Sequence, residues 1–228
     1  MKIGVAIPCY WHHIQALARC LDNIDQQTRK PDYVVVSCSK TTQAQLDTKF
    51  GCTKYSFPLE ILPHPGRKNA AENRNIAGAR LIELGMDYIS FIDADDTMMR
   101  ERLEFIENVL ITYDVDTVFH GFSTSRTEEF FDGRWEDYVY VNRLSTNWCQ
   151  NLFLTGDTSK TTRNSPHHAH ATIRASIFNQ FKYPEQKDLE RKEDSRYAVE
   201  LISKNKCTNA FIALNLSVYV SANCWYER

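Results

Sequence analysis

Apolar residues recur at two alternating periods through the N-terminal half of the chain. The run 2–8 (KIGVAIP) is continuous and apolar, as a strand buried on both faces requires, and Pro8 stands where a strand can end. Ile14, Leu17, Ala18, Leu21 and Ile24 then fall at helical spacing and predict a helix over about 12–27. Pro31 breaks the chain before a β-branched strand at 33–36. A short helix over 41–50, a weaker strand over 55–62 and a turn at 63–66 follow. Ile76, Ala77, Leu81 and Leu84 give one face to a long helix over 69–84, and residues 88–92 (YISFI) form the next strand. A further helix (100–112) and strand (117–121) extend the series. Strand alternating with helix in this way predicts an α/β fold with a mostly parallel central sheet flanked by helices.

After Gly121 the rhythm changes. Residues 122–165 are polar and turn-rich, with Trp135, Tyr138, Tyr140 and Trp148 scattered among them. Strands are expected at 138–141 and 169–174, helices at 175–181 and 194–204, and apolar strand material at 210–220. No Pro/Gly/Ser-rich linker divides the two parts. The expectation is one domain over 1–228, with a first half to about 121 and a loop-rich second half from about 122.

Composition narrows the function classes. The chain has 228 residues, 43% hydrophobic and 25% charged, as ordinary globular proteins do. A net charge of −2 gives no general attraction for nucleic acid or anionic lipid. No apolar run approaches the roughly 18 residues of a membrane span. The seven cysteines are odd in number and lack C-x-x-C spacing, which suits reduced thiols and a soluble, cytoplasmic setting.

The densest chemistry is Asp93-Ala94-Asp95-Asp96, directly after the apolar run 88–92. Carboxylates packed this closely raise one another's pKa unless a divalent cation neutralises them. The carboxyl ends of strands in an open α/β sheet are also where ligands bind. Against a plain surface turn, in which Asp is common, stands the apolar strand that delivers all three. Oxygen-rich ligation suits Mg²⁺ or Mn²⁺, which can clamp a diphosphate. His167, His168 and His170 lie in the loop entering the strand at 169–174, and neutral imidazole is a common ligand, so His168 and His170 are candidates to complete the shell.

Several segments, taken in order, resemble the family 2 glycosyltransferases, which have the nucleotide-sugar-binding GT-A fold. Val5-Ala-Ile-Pro-Cys-Tyr10 is similar to the family's opening strand, usually ending Pro-Thr-Tyr-Asn. Gln27-Thr-x-x-Pro-Asp-Tyr-Val-Val-Val36 matches its Gln-Thr-x-x-Pro into a second strand. Asn73-Arg74-Asn75 resembles its Ala-Arg-Asn segment, and Phe91-Ile-Asp-Ala-Asp-Asp96 its metal-binding D-x-D segment. Arg174-Ala-Ser-Ile-Phe178 and Lys192-Glu-Asp194 resemble its acceptor-side Arg-x-Ser-x-Phe and Glu-Asp elements. Two positions depart from the pattern. The Asp that reads uracil after the second strand is replaced by the run Ser37-Cys38-Ser39, and the Asn after Tyr10 by Trp11.

The resemblance implies a metal-dependent transferase that moves a sugar, with inversion, from a nucleotide-diphospho-sugar donor to a hydroxyl acceptor such as a glycan. It implies Asp95 and Asp96 on the metal and diphosphate, Asp93 as a ligand or ribose contact, and Ala94 and Pro8 in the donor site. Tyr10 would stack on the base and Arg74 would pair with phosphate. Without the uracil-reading Asp, the base would be other than uracil or be held by backbone groups, Ser37 and Ser39. Asp194, with Glu193 beside it, is the implied general base; a helix N-cap is its alternative role. Trp135, Tyr138, Trp148 and Arg174 are the candidates to face the acceptor. Two other functions fit parts of the sequence. Asp93-Ala-Asp95-Asp-Thr97 fits the D-x-D-x-T signature of a haloacid dehalogenase-type phosphatase with Asp93 as nucleophile. A non-catalytic nucleotide-sugar-binding module is the other.

Overall fold

The computed structural model describes residues 1–124, 134–141, 168–185, 193–203 and 207–220. Strand and helix alternate as the periodicity predicts: β1 (Ile3–Tyr10), α1 (Ile14–Ile24), β2 (Tyr33–Ser39), α2 (Gln43–Phe50), β3 (Leu59–His64), α3 (Ala70–Glu83) and β4 (Tyr88–Phe91). Then come β5 (Thr97–Met98), α4 (Arg102–Tyr113), β6 (Thr117–Ser123), β7 (Val139–Val141), β8 (Thr172–Arg174), α5 (Ala175–Gln180), α6 (Glu193–Ser203) and β9 (Asn209–Val218). Among the described residues no helix is long and apolar enough to cross a membrane.

The strands form one sheet in the order β3-β2-β1-β4-β8-β6-β9-β5, with β7 also paired to β9. Strands β3, β2, β1 and β4 are parallel throughout. The other half is mixed, because β8 runs antiparallel to both β4 and β6 while β6 and β9 are parallel. That reversal matters for function. Residues entering β8 lie at the carboxyl ends of the parallel strands, and residues leaving it lie at the opposite end.

The central strands are buried on both faces, so each face needs a cover. On one, α1 contributes Ala16, Leu17, Cys20, Leu21 and Ile24, and α4 contributes Leu103, Ile106, Val109 and Leu110. On the other, α3 contributes Ala71, Ala77 and Leu81, and joins Phe178, Tyr183, Tyr197 and Leu201. Helix α3 starts at a capping box, in which Asn69 accepts from Glu72 N–H at 2.8 Å and Asn69 N–H donates to Glu72 Oε2 at 2.7 Å. Such a cap is worth about 1 kcal/mol. Gly78 lets α3 meet α5: a Cβ there would lie 2.3 Å from the Phe178 ring. Several boundaries differ from the periodicity: β2 runs on to Ser39, and a 3-10 turn over His168–His170 leaves the strand expected at 169–174 to begin at Thr172. A 3-10 turn, Trp11–His13, precedes α1 and shortens the expected helix. Strand β3 runs through Pro63 to His64, which proline tolerates because β3 is the edge of the sheet.

Candidate active site

One turn of α3 ties together three segments at the carboxyl ends of the parallel strands. Asn73 holds the ends of β1 and β2: it accepts from Ser37 Oγ at 2.8 Å and donates to the Cys9 carbonyl at 3.4 Å and to Ser39 Oγ at 3.3 Å. Asn75 holds the 183–185 segment, donating to the Tyr183 carbonyl at 2.9 Å and to Glu185 at 2.7 Å and accepting from Tyr183 N–H at 2.9 Å. Arg74, 3% exposed, stands between them. Its Nη2 donates to Asp93 Oδ1 at 2.7 Å and its Nη1 to Glu193 Oε1 at 2.8 Å. Burial works against the guanidinium charge, and Asp93, Asp194 and Glu193 together outweigh it, so Arg74 stays protonated. Removing Arg74 alone would leave two carboxylates uncompensated, at a cost of about 3–5 kcal/mol.

Beyond β4 the chain turns sharply, with Asp96 N–H donating to the Asp93 carbonyl at 3.1 Å. Asp96 is 1% exposed, and its Oδ1 accepts from Val220 N–H at 2.8 Å. Its Oδ2 lies 3.0 Å from His170 Nε2, and Ser217 Oγ is bonded to His170 Nδ1 at 2.9 Å, which fixes the imidazole ring. Burial pushes the Asp96 carboxyl up to about 7, despite the Val220 N–H and the Arg102 charge. Burial and the neighbouring Asp93 charge push Asp95 up to about 6, against the pull of His13, whose Nδ1 is 3.8 Å from Asp95 Oδ2. Beneath the cluster, fully buried Arg102 donates through Nη2 to Ser90 Oγ (3.3 Å) and to the carbonyls of Phe91 (2.8 Å) and His170 (2.9 Å). It thereby joins the strand that carries Asp93 to the turn that carries His170.

Ligand atoms of Asp93, Asp96 and His170 all lie within 4.8 Å of one another. Two carboxylates and an imidazole suit a divalent cation of the Mn²⁺ or Mg²⁺ kind. Asp96, its carboxyl raised by burial, fits a site that a cation completes. Asp95, expected on the metal, instead points beside His13, and its carbonyl accepts from Arg19 at 3.1 Å. Of the two expected histidines, His170 joins the cluster, and His168 opens the same 3-10 turn.

The second carboxylate pair stands across Arg74 from the first. Glu193 is buried with Oε1 on Arg74 and with Oε2 lacking a hydrogen-bond partner among the described residues. Burial raises its pKa and Arg74 opposes that rise. Asp194, next along α6, accepts from Ser195 N–H at 2.7 Å and Ser195 Oγ at 3.2 Å. It sits in the first turn of the helix, where a carboxylate is favourable.

Other expected site residues are placed less favourably. Tyr10 is half-buried at the end of β1, with Lys40 Nζ 5.8 Å from its ring centroid. Pro8 and Ala94 are buried beside the site. Ser37 and Ser39 are fully buried; Ser37 Oγ bonds Asn73 and lies 3.1 Å from His64 Nε2, so neither hydroxyl faces solvent. Arg174 is at the wrong end of the sheet for an acceptor role. It pairs with Tyr88, the first residue of β4, because β8 is antiparallel. Trp135 packs edge-on against Tyr113 at 6.4 Å and covers the core, and Tyr138 closes the same short turn. Trp148 lies outside the described residues. Asn73, Asn75, Arg102, His13 and Tyr219 belong to this end of the molecule without having been singled out as site residues. The motif Asn73-Arg74-Asn75 held the signal for the first two. A buried arginine or a tyrosine after the last strand has none.

A sheet whose parallel strands end in a D-x-D turn, facing a second acidic pair on a later helix, defines a protein of the GT-A class. The chain belongs to glycosyl transferase family 2, whose model matches residues 4–182. No curated protein matches the chain by sequence. Among solved structures, S. aureus TarS 1-349 in complex with UDP shares the fold at a TM-score of 0.67 and 14% identity, covering 99% of this chain and 62% of that one. The same TarS segment with UDP-GlcNAc gives 0.67 at 15% identity, covering 97% and 59%. The mannosyltransferase PcManGT from Pyrobaculum calidifontis, in complex with GDP-Man and Mn²⁺, gives 0.54 at 17% identity, covering 89% and 52%. The chain therefore spans about three-fifths of the length of the TarS segment it matches. The phosphatase alternative falls with the fold and family, since β4 is a central strand preceded by three others.

Proposed function

We propose that the protein is a metal-dependent, inverting glycosyltransferase that uses a nucleotide-diphospho-sugar donor. The observation that carries this reading is the Arg74 bridge. It fixes one acidic group, Asp93 with Asp96 and His170, at a set distance from a second, Glu193 with Asp194. One group suits the diphosphate end of a donor, and the other suits the acceptor hydroxyl.

Asp93, Asp96 and His170 would hold a divalent cation, which when bound offsets the charge of the leaving diphosphate. Arg19, bonded to the Asp95 carbonyl, adds positive charge at the same rim. Asp194 is the general base: it takes the proton of the acceptor hydroxyl as that oxygen attacks the anomeric carbon from the face opposite the diphosphate. The bond from carbon to the diphosphate oxygen breaks as the new one forms, which inverts the centre. Glu193, locked on Arg74, positions the start of α6 rather than accepting the proton. Tyr10 and the backbone at the ends of β1 and β2 would hold the base. With no carboxylate there and with Ser37 and Ser39 turned inward, a non-uridine donor is favoured. The acceptor is a hydroxyl compound such as a glycan.

A thermal-shift screen of nucleoside diphosphates and their sugar esters, with and without Mn²⁺, tests the reading. A metal-dependent rise for one base supports it. Turnover of the matching ester distinguishes a transferase from a binding module, and no shift with any nucleotide ends the proposal.

A further inference from the structure

The chain leaves β9 directly over the acidic cluster. Val220 N–H donates to Asp96 Oδ1 at 2.8 Å, and Tyr219 N–H donates to the Ser123 carbonyl at 2.8 Å. The backbone of Tyr219 is thus pinned from two sides. Its ring meets Phe122 edge-on, at 6.4 Å and 76°. Even so, Tyr219 remains 43% exposed. A large aromatic on a backbone held from two sides, yet left open to solvent, is placed to meet a ligand, because little backbone freedom remains to be lost on contact.

The surroundings identify that ligand. Partial burial first, and then the charges of Asp96, Asp95, Asp93 and Asp194, hold the phenol proton more tightly than usual. The Val220 N–H on Asp96 sets the neighbouring Tyr219 beside the metal-side carboxylates, next to where the diphosphate of a donor would lie. In the donor reading the transferred sugar occupies the interval between the two acidic groups, with its anomeric carbon joined to the diphosphate on one side and attacked from the other. A sugar ring offers an apolar C–H face and a rim of hydroxyls. A tyrosine offers an apolar ring and a polar tip.

We propose that Tyr219 contacts the transferred sugar, its ring covering one face of the pyranose and its hydroxyl bonding a sugar hydroxyl. The inference rests on the nucleotide-sugar reading above and names the residue that recognises the sugar. Phe122 backs the ring from behind, and the Val220–Asp96 bond sets its height above the metal site.

The test is calorimetric titration, in Mn²⁺, of UDP, GDP and dTDP, each free and as a hexose ester. The proteins compared are the wild type, Tyr219→Phe and Tyr219→Ala. The expected result concerns the affinity that the sugar adds, the ratio of ester to free diphosphate for the best-bound base. In Tyr219→Ala this ratio falls by roughly 3- to 10-fold, the worth of one aromatic contact. Tyr219→Phe falls by less, having lost only the hydroxyl, and free diphosphate binding stays within about 2-fold in both. An unchanged ratio in Tyr219→Ala, with the diphosphate still bound, overturns the Tyr219 assignment alone. Equal loss of free diphosphate and ester also overturns it, since Tyr219 would then support Asp96 instead of the sugar. A wild-type protein that binds no free diphosphate overturns the donor reading and this inference with it.

Discussion

At the start of β4, Tyr88 pairs with Arg174, whose guanidinium binds Asp116 at 2.8 Å and Asp114 at 2.7 Å and lies 4.9 Å from the Tyr88 ring centroid. At its other end the chain delivers Asp93 and Asp95, partly buried, and Asp96, fully buried, in one turn. There one cationic side chain, Arg74, serves Asp93 and Glu193 together, and burial raises Asp96 to about 7. Both ends collect carboxylates around arginine. The first pairs them with Arg174 and leaves Asp114 open to solvent, so nothing more is needed. The second buries them and leaves the charge incompletely met, which is destabilising unless a cation arrives. Charge that the fold tolerates but does not satisfy marks the functional end.

The largest effect expected from this contrast is at the cluster itself. Asp93→Asn and Asp96→Asn should each reduce turnover by at least about 10³-fold and abolish the Mn²⁺-dependent part of nucleotide binding. Circular dichroism should show the fold intact. Retained metal dependence in both variants would remove the metal site from the account.

Next is the base. Asp194→Asn keeps the shape and helix-terminus bonding of the side chain but cannot accept a proton at neutral pH. Its kcat should drop by roughly 10²–10⁴ with donor Kd unchanged. Near-normal kcat would make Asp194 only a helix-terminal residue and transfer the question to Glu193.

The pH dependence is smaller and its sign is fixed. Asp95 and Asp96 have folded pKa values near 6 and 7, above the ordinary 3.8, so the metal-free fold binds more protons than the unfolded chain between those limits. Their stabilising contribution is full below about pH 4 and is lost as pH rises through 6 to 7. Mn²⁺ binds the ionised form, so its affinity should weaken about tenfold per pH unit below pH 7. Melting scans should show a larger Mn²⁺-induced rise at pH 8 than at pH 5.5. Asp96→Asn should flatten the metal-free trend. A larger Mn²⁺ effect at pH 5.5 would contradict the burial of these groups.

The smallest effect lies at the satisfied end. Arg174→Ala should cost about 1 kcal/mol or less in a denaturant titration and leave kcat within twofold, because its pair with Asp114 is exposed and its pair with Asp116 only partly buried. A large kcat loss would restore the acceptor role expected of Arg174 from the sequence.

The sequence disclosed the α/β alternation, the acidic turn and its GT-A affinity, because each rests on local periodicity or on a contiguous motif. Of the residues it singled out, the fold brings His170 to 3.0 Å from Asp96 and sets Asp194 in the first turn of α6. The sequence could not assign Asp93 rather than Asp95 to the cluster, since the turn after β4 decides which carboxylate faces His170. Arg174 was misplaced because a strand as short as β8 carries no signal of its direction. Ser37 and Ser39 looked available at a strand end, and only the packing of α3 against β2 shows Asn73 enclosing them. Tyr219 reaches the site through the pairing of β9 with β6 and β5, a long-range contact that no local pattern announces.

The central claim is that the carboxyl end of β4 holds a cation and a nucleoside diphosphate together. Its most direct test is a titration of each nucleoside diphosphate into wild-type and Asp96→Asn protein, with Mn²⁺ and with EDTA. The account predicts one preferred base, bound by the wild type only when Mn²⁺ is present, with stabilisation of about 2.7 kcal/mol at 100 times Kd. The variant should show no metal-dependent gain. Tight binding that is equal in EDTA and Mn²⁺, or equal in wild type and variant, would contradict it.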